Sequence, residues 1–260
     1  MELSYYILNN VQYFLIVFVR MLGIFILTPL FGTKTLPSTF KIGLAFFTSI
    51  MIFELVNVKI DANNLYQYVE IVFNEFLIGL LIGLSSMISF SAIYLAGQII
   101  DYQLGFSIVN VLAAGEETQV PLIGNFVYIL TLLLFLLIDG HHKLFQLLFQ
   151  SYSMIPVGTP FLHLESINTV ITKIVSDMFV LGFRISAPIV VSTLLTDITL
   201  SIISRTIPQL NVFMIGMPIK IFVGIFTLFI MLPMYLAVID VLFNGMYSDI
   251  FALFKSIVKG

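Results

Sequence analysis

The sequence predicts an all-α integral membrane protein built from kinked helical hairpins. Six long apolar stretches lie near residues 11–31, 42–58, 68–100, 121–138, 168–203 and 211–243. A bilayer core about 30 Å thick needs about 20 mostly apolar helical residues to cross it. Of the 260 residues, 60% are hydrophobic and 10% charged, with a mean hydropathy of +1.10. Soluble domains run at about 45–50% apolar and about 25% charged. Finally, the stretches are interrupted by prolines, glycine pairs and isolated charges, and these interruptions are where helices kink and where function is to be sought.

Composition also excludes several classes. A net charge of -3 removes a nucleic-acid surface, which needs clustered Lys and Arg. The absence of Cys removes disulfides, thiolate metal sites and cysteine nucleophiles. Met1-Glu2-Leu3-Ser4 lacks a basic leader, so the first stretch reads as a retained helix. If all six stretches cross, one side carries Lys59, Lys143, Lys173, Lys255 and Lys259, and the other Lys34, Lys41, Arg205 and Lys220. That near balance selects no orientation. It suits hydrophobic hairpins held by other subunits better than an independently inserting carrier.

The first stretch holds Arg20 and ends at Thr28-Pro29, followed by a second break at Leu36-Pro37. The second, Lys41 to Val58, has Glu54 near its end. The third, Tyr68 to Ile100, is too long for one untilted span and carries Glu75. Gly79 and Gly83, continued by Ser86, Ser89, Ala92 and Ala96, form a small-residue face that admits another helix closely. Dense packing and a subunit contact both account for it. Between Asp101 and Pro121 there is no Lys or Arg. An apolar run from Phe106 to Ala114 is bracketed there by Gly105 and Gly115. Irregular apolar backbone at membrane depth must be buried in protein or line a cavity. A re-entrant packing loop and a segment that occludes a channel by dewetting both fit.

The fourth stretch, Leu122 to Ile138, ends at Asp139-Gly140-His141-His142, where Asp139 is expected to cap the next helix. Adjacent histidines diverge on a helix, so no metal site is expected there. Met154 to Pro160 is a turn-rich connection. The fifth stretch contains Asp177, Arg184, Pro188 and Asp197, and Pro188 is expected to kink it. Its end at Arg205 and the turn Pro208-Gln209-Leu210-Asn211 form the polar tip of a hairpin with the sixth stretch, which holds Pro218, Pro233 and Asp240. Arg20, Glu75, Arg184 and Asp240 are the charges inside apolar stretches and are expected to be buried against partners or an aqueous path. No nucleophile–base–acid set, phosphate loop or cofactor motif is present, so neither an enzyme nor a cofactor is expected.

In order and spacing, a set of fragments resembles the FliR/SctT family, the R component of the flagellar and virulence type III export gate. The set comprises Arg20 with Thr28-Pro29-Leu30-Phe31-Gly32, Leu36-Pro37, Glu75 with Gly79 and Gly83, and Ala96-Gly97-Gln98-Ile99-Ile100-Asp101-Tyr102-Gln103-Leu104-Gly105-Phe106. It continues with Asp139-Gly140-His141-His142, Ser151 with Pro156-Val157-Gly158, Ala187-Pro188-Ile189, and Ser204-Arg205 with Pro208-Gln209-Leu210-Asn211-Val212-Phe213 and Gly216. The resemblance spans nearly the whole chain.

It implies a gate subunit that joins P and Q subunits in a helical hetero-oligomeric pore for unfolded flagellar or effector proteins. The seat would be the bacterial inner membrane, in the flagellar basal body. Residues 1–165 would be a P-like helical unit and 166–260 a Q-like hairpin with a C-terminal tail. The family's plug loop falls on residues 105–121, with Phe106, Ile108, Val111 and Leu112 as the apolar seal and Gly105 and Gly115 as hinges. Ala113-Ala114 stands where members often carry Asp-Pro. Arg205, Pro208, Gln209 and Asn211 would face the cytoplasmic entrance and its B subunit. The competing reading is an independent multi-pass secondary transporter with a midplane site at helices broken by Pro188, Pro218 and Pro233. It predicts internal repeats, and none is evident.

Overall fold

The computed structural model describes residues 2–29, 31, 36–54, 56, 64–106, 121–159, 164–209 and 211–258. Every regular element among them is helical. In chain order they are α1 (Glu2–Leu27), α2 (Ser38–Phe53), α3 (Leu65–Leu104), α4 (Leu122–Leu137), α5 (Gly140–Met154), α6 (Leu164–Thr206) and α7 (Val212–Val258).

The boundaries follow local chemistry. α1 closes where the Thr28 amide and hydroxyl both donate to the Ile24 carbonyl, just before Pro29. Pro37 and Pro121 sit at the N-cap positions of α2 and α4 with extended backbone and no side-chain cap. A proline there lacks only an amide that a helix start does not use. α4 ends beside Asp139, whose φ of 56° is left-handed, the one such non-glycine among the described residues. Asp tolerates that region better than most residues. Asp139 holds the N-cap position of α5, but its side chain makes no cap bond, contrary to expectation. α6 and α7 run through Pro188, Pro218 and Pro233 without a break.

Among the described residues, four helices are long and apolar enough to cross a membrane: Asn10–Leu27, Leu65–Leu104, Glu165–Thr206 and Met214–Val258. The pair Leu122–Leu137 and Gly140–Met154 adds a fifth if counted as one span. The second apolar stretch forms a helix too short to cross alone. Its 16 residues reach about 24 Å at 1.5 Å per residue, short of a core about 30 Å thick. By contrast α3, at 40 residues, is about 60 Å long.

The chain divides into two compact units. The first comprises Met1–Ser89, Asp139–Val175 and Gly245–Gly260, and the second Phe90–Ile138 and Ser176–Asn244. Residues 165 and 166, where the sequence reading sets its boundary, lie in the first turn of α6.

In the first unit, α1 and α3 cross backbone to backbone. A Cβ on Gly23 would meet the Phe76 carbonyl oxygen at 2.8 Å, one on Gly79 would strike the Arg20 carbonyl oxygen, and one on Gly83 would lie 2.9 Å from the Ile24 carbonyl oxygen. The core there includes Val17, Met21, Phe25, Ile78 and Ile82, with Leu147 and Leu148 of α5 and Leu253 and Phe254 of α7.

In the second unit, Ile100, Leu104 and Ile189 form a buried cluster on which Phe106, Ile123 and Leu228 pack. Phe90, Phe135 and Phe243 form an aromatic group with ring centroids 4.8–5.6 Å apart. Gly97 meets Gly124 directly, and a Cβ on Gly182 would lie 3.2 Å from the Ala92 carbonyl oxygen. Between α6 and α7, Lys220 Nζ lies 2.8 Å from Asp197 Oδ2 and the Thr227 hydroxyl donates to Ser192 Oγ at 3.1 Å.

Candidate functional site

Three places gather the polar groups that an apolar helical protein can least afford to leave unsatisfied. The first is Arg20, fully buried in α1. A lone buried cation would be strongly disfavoured. Here Nε pairs with Glu75 Oε2 of α3, Nη1 donates to Ser151 Oγ at 3.4 Å, and Nη2 donates to the Ile155 carbonyl at 3.1 Å. The guanidinium carbon sits 4.1 Å from the centre of the Tyr152 ring, and the Tyr152 hydroxyl donates to the Val17 carbonyl at 3.2 Å. The second Glu75 oxygen accepts from the Gly158 amide at 3.2 Å, with Gly158 at φ 83°. The node therefore ties α1, α3, α5 and the turn after α5 into one arrangement of donors and acceptors.

Arg20 and Glu75 were both expected to be buried charges, and the structure brings them together. Arg184 and Asp240 are both exposed on this chain, so any burial of theirs is against something outside it. Nothing in the chain has to neutralise them, and Asp240 accepts from Asn244 on its own helix at 3.2 Å. The small-residue face at Gly79 and Gly83 is occupied by α1 of the same chain. Gly23, its counterpart, went unnoticed because a single glycine in an apolar run carries no periodic signal.

The second place is the pair of ends of segment 107–120. Gly105, at φ 86°, turns the chain out of α3, its amide donating to the Tyr102 carbonyl at 3.2 Å. Phe106 leaves from there onto the Ile100–Leu104–Ile189 cluster. Ile108, Val111, Leu112 and Gly115 lie outside the described residues. At the far end, Ile123 packs on that same cluster.

Asp101, 4% exposed, spans the two ends. Its Oδ1 accepts from the Ile123 amide at 3.0 Å and its Oδ2 from the Gly124 amide at 3.1 Å. The first amides of a helix have no intrahelical partner and carry its positive partial charge, so a carboxylate suits them. Pro121, at the N-cap position, offers no side-chain acceptor, and Asp101 supplies one from 22 residues away. Sequence reasoning missed this role. The only signal was a helix start without a local cap.

The third place is the hairpin tip. Arg205 lies in the last turn of α6, and Arg205, Pro208, Gln209 and Asn211 are all exposed. Asn211 also has a local task, since its Oδ1 accepts from the Met214 amide at 3.3 Å at the start of α7.

A smaller cluster lies at the start of α5. His141 and His142 do not diverge as expected: their ring centroids are 4.2 Å apart. His142 Nδ1 is 3.3 Å from Asp139 Oδ1, and one ligand atom from each of the three residues lies within 4.8 Å of the others. The left-handed Asp139 brings its carboxylate back over the first turn of the helix. A helix N-terminus repels a cation, and the Asp139–His142 contact already satisfies the exposed carboxylate.

Comparison with known proteins places this architecture. Residues 11–246 match the profile of the bacterial export proteins, family 1. The flagellar biosynthetic protein FliR of Bacillus subtilis (strain 168) is 38% identical over 237 residues, covering 90% of each chain. FliR of Escherichia coli (strain K12) is 28% identical over 244 residues, 92% of this chain and 90% of its own. The secretion system apparatus protein SsaT of Salmonella typhimurium is 24% identical over 222 residues, 84% of this chain and 86% of its own. A profile match from the middle of α1 almost to the end of α7, and an alignment spanning nine-tenths of both chains, mean that this membrane protein belongs to family 1 of the bacterial export proteins, the FliR/SctT family.

Proposed function

We propose that the chain is a structural and gating subunit of the type III protein export gate in the bacterial inner membrane, seated in the flagellar basal body. It assembles with P and Q subunits into a helical pore for unfolded flagellar or effector proteins, and it performs no chemistry on them. Residues 1–165 serve as the P-like unit and 166–260 as the Q-like hairpin. Segment 105–121 closes the pore, with Phe106, Ile108, Val111 and Leu112 as the seal and Gly105 and Gly115 as hinges. The exposed tip with Arg205, Pro208, Gln209 and Asn211 meets the B subunit at the cytoplasmic entrance.

The observation that carries this reading is the 38% identity to a flagellar FliR over 90% of both chains. The bare surface of α7 supports it, since only 6% of its most apolar window is buried within the chain. Such a helix needs lipid or partner subunits around it. An independent carrier is disfavoured because α6 and α7 are unbroken at Pro188, Pro218 and Pro233, whereas a midplane site is typically built at breaks.

The test is purification of the tagged chain in mild detergent from cells co-expressing P and Q subunits, followed by native mass spectrometry. A hetero-oligomer containing all three is expected. A lone chain or a small homo-oligomer would overturn the assembly. Deletion of residues 107–114 is expected to leave assembly intact and make the membrane leaky to ions, and a tight membrane would overturn the closure.

A further inference from the structure

We propose that Asp101 is the positioning residue of the closing segment: a carboxylate latch that holds the start of α4 against the end of α3, so that the segment between them leaves and re-enters at one fixed place. The inference rests on the closure reading above, and deepens it.

Four observations from the described residues converge. Asp101 is 4% exposed, and both of its oxygens are used, on the Ile123 and Gly124 amides at 3.0 and 3.1 Å. Pro121 gives α4 no cap of its own, so these two amides have no other described acceptor. Directly beneath, Gly97 of α3 meets Gly124 of α4 so closely that a Cβ on Gly97 would strike the Gly124 Cα. The two hydrogen bonds are thus made across a backbone contact with no slack. Above, Phe106 and Ile123 pack on one apolar cluster.

A helix that only needed stabilising would be served by Ser, Thr, Asp or Asn at its own N-cap. A remote carboxylate does something that a local cap cannot do, because it fixes where the helix begins relative to another helix. Two charge-assisted bonds to one carboxylate also fix direction as well as distance. A slip of one residue would take one amide off its oxygen and move Gly124 away from Gly97.

The test separates positioning from helix stability. In cells co-expressing P and Q subunits, ion leak is measured for the wild type, for the 107–114 deletion, for Asp101→Ala, for Asp101→Asn and for the double variant Asp101→Ala/Pro121→Ser. The purified complexes are followed by hydrogen exchange at residues 123–126. Asp101→Ala is expected to leak as the deletion does, and to speed exchange on the order of tenfold for each lost bond. Asp101→Asn, which keeps one carbonyl acceptor and the side-chain shape, is expected to fall between. The serine at 121 restores an acceptor for the helix but no tie to α3, so the double variant is expected to recover slow exchange and remain leaky.

Recovery of a tight membrane in the double variant would overturn the proposal, leaving Asp101 as a helix cap alone. A leaky deletion beside a tight Asp101→Ala would also overturn it while the closure reading stands. A tight deletion would bring down the closure reading and the inference with it. If Asp101→Ala does not assemble, the Asp101→Asn leak decides between the same outcomes.

Discussion

The Arg20 node of the first unit and the charges of α6 and α7 in the second follow opposite designs. At the node, a buried cation is matched within the chain: one carboxylate, one hydroxyl, one carbonyl and one aromatic face surround it. In the second unit, Arg184 and Asp240 point outward from apolar helices, and Lys220 pairs with Asp197 across the hairpin, part-exposed at 22% and 43%. Burial of apolar surface also differs from helix to helix. Of the most apolar window in each helix, 56% is buried in α3 and 6% in α7. The node region is therefore organised by the chain itself, whereas the hairpin leaves its organisation to whatever surrounds it.

The strongest way to break that contrast is to remove one half of the node. Arg20→Ala leaves Glu75 buried without its cation, and Glu75→Ala does the reverse. Each is expected to destabilise the fold by about 3–5 kcal/mol and to lower the melting temperature and yield of the purified complex. The double change to Met at both positions is expected to recover much of this, since an apolar pair leaves no orphaned charge. Full loss in the double variant would mean that the node specifies the fold through its geometry rather than through charge balance.

A smaller effect is expected at the helix crossing. Gly79→Ala places a methyl against the Arg20 carbonyl and is expected to cost about 1–3 kcal/mol, read as a lower melting temperature. Gly43→Ala, where nothing lies within 4 Å, is its control and is expected to be neutral or slightly stabilising, by under about 1 kcal/mol. The least change is expected at the hairpin. Lys220→Ala should cost no more than about 1 kcal/mol because the pair is partly exposed. A loss as large as that at the node would show that the hairpin pair is covered in the assembled state, and would close the gap between the two regions.

How much of this was legible in the sequence follows the range of the interactions. Helix existence was readable, because apolar runs of bilayer length have few other uses. Arg20 and Glu75 were readable as charges in the wrong solvent, and Gly79 and Gly83 as a small-residue stripe. What stayed hidden was each partner: Gly23 opposite Gly79, Tyr152 beneath Arg20, and Asp101 on the amides of Ile123 and Gly124. Those pairings depend on which helices cross, and no local period encodes that. The second stretch reads longer than its helix because apolarity extends past Phe53, where the helix itself stops. Asp139 was misread because an acid before a helix usually caps it, and here the left-handed backbone turns the side chain toward His142.

The Gly97–Gly124 contact has a genetic consequence. When two helices touch through larger side chains, an enlargement on one can be rescued by a reduction on the other. At this crossing the residue facing Gly97 is already a glycine, and the nearest atoms belong to its backbone. A defect caused by Gly97→Ala has no reciprocal suppressor at position 124. Revertants selected from such a strain should be true reversions or changes that shift a whole helix, and their scarcity would measure how rigidly the two backbones are held.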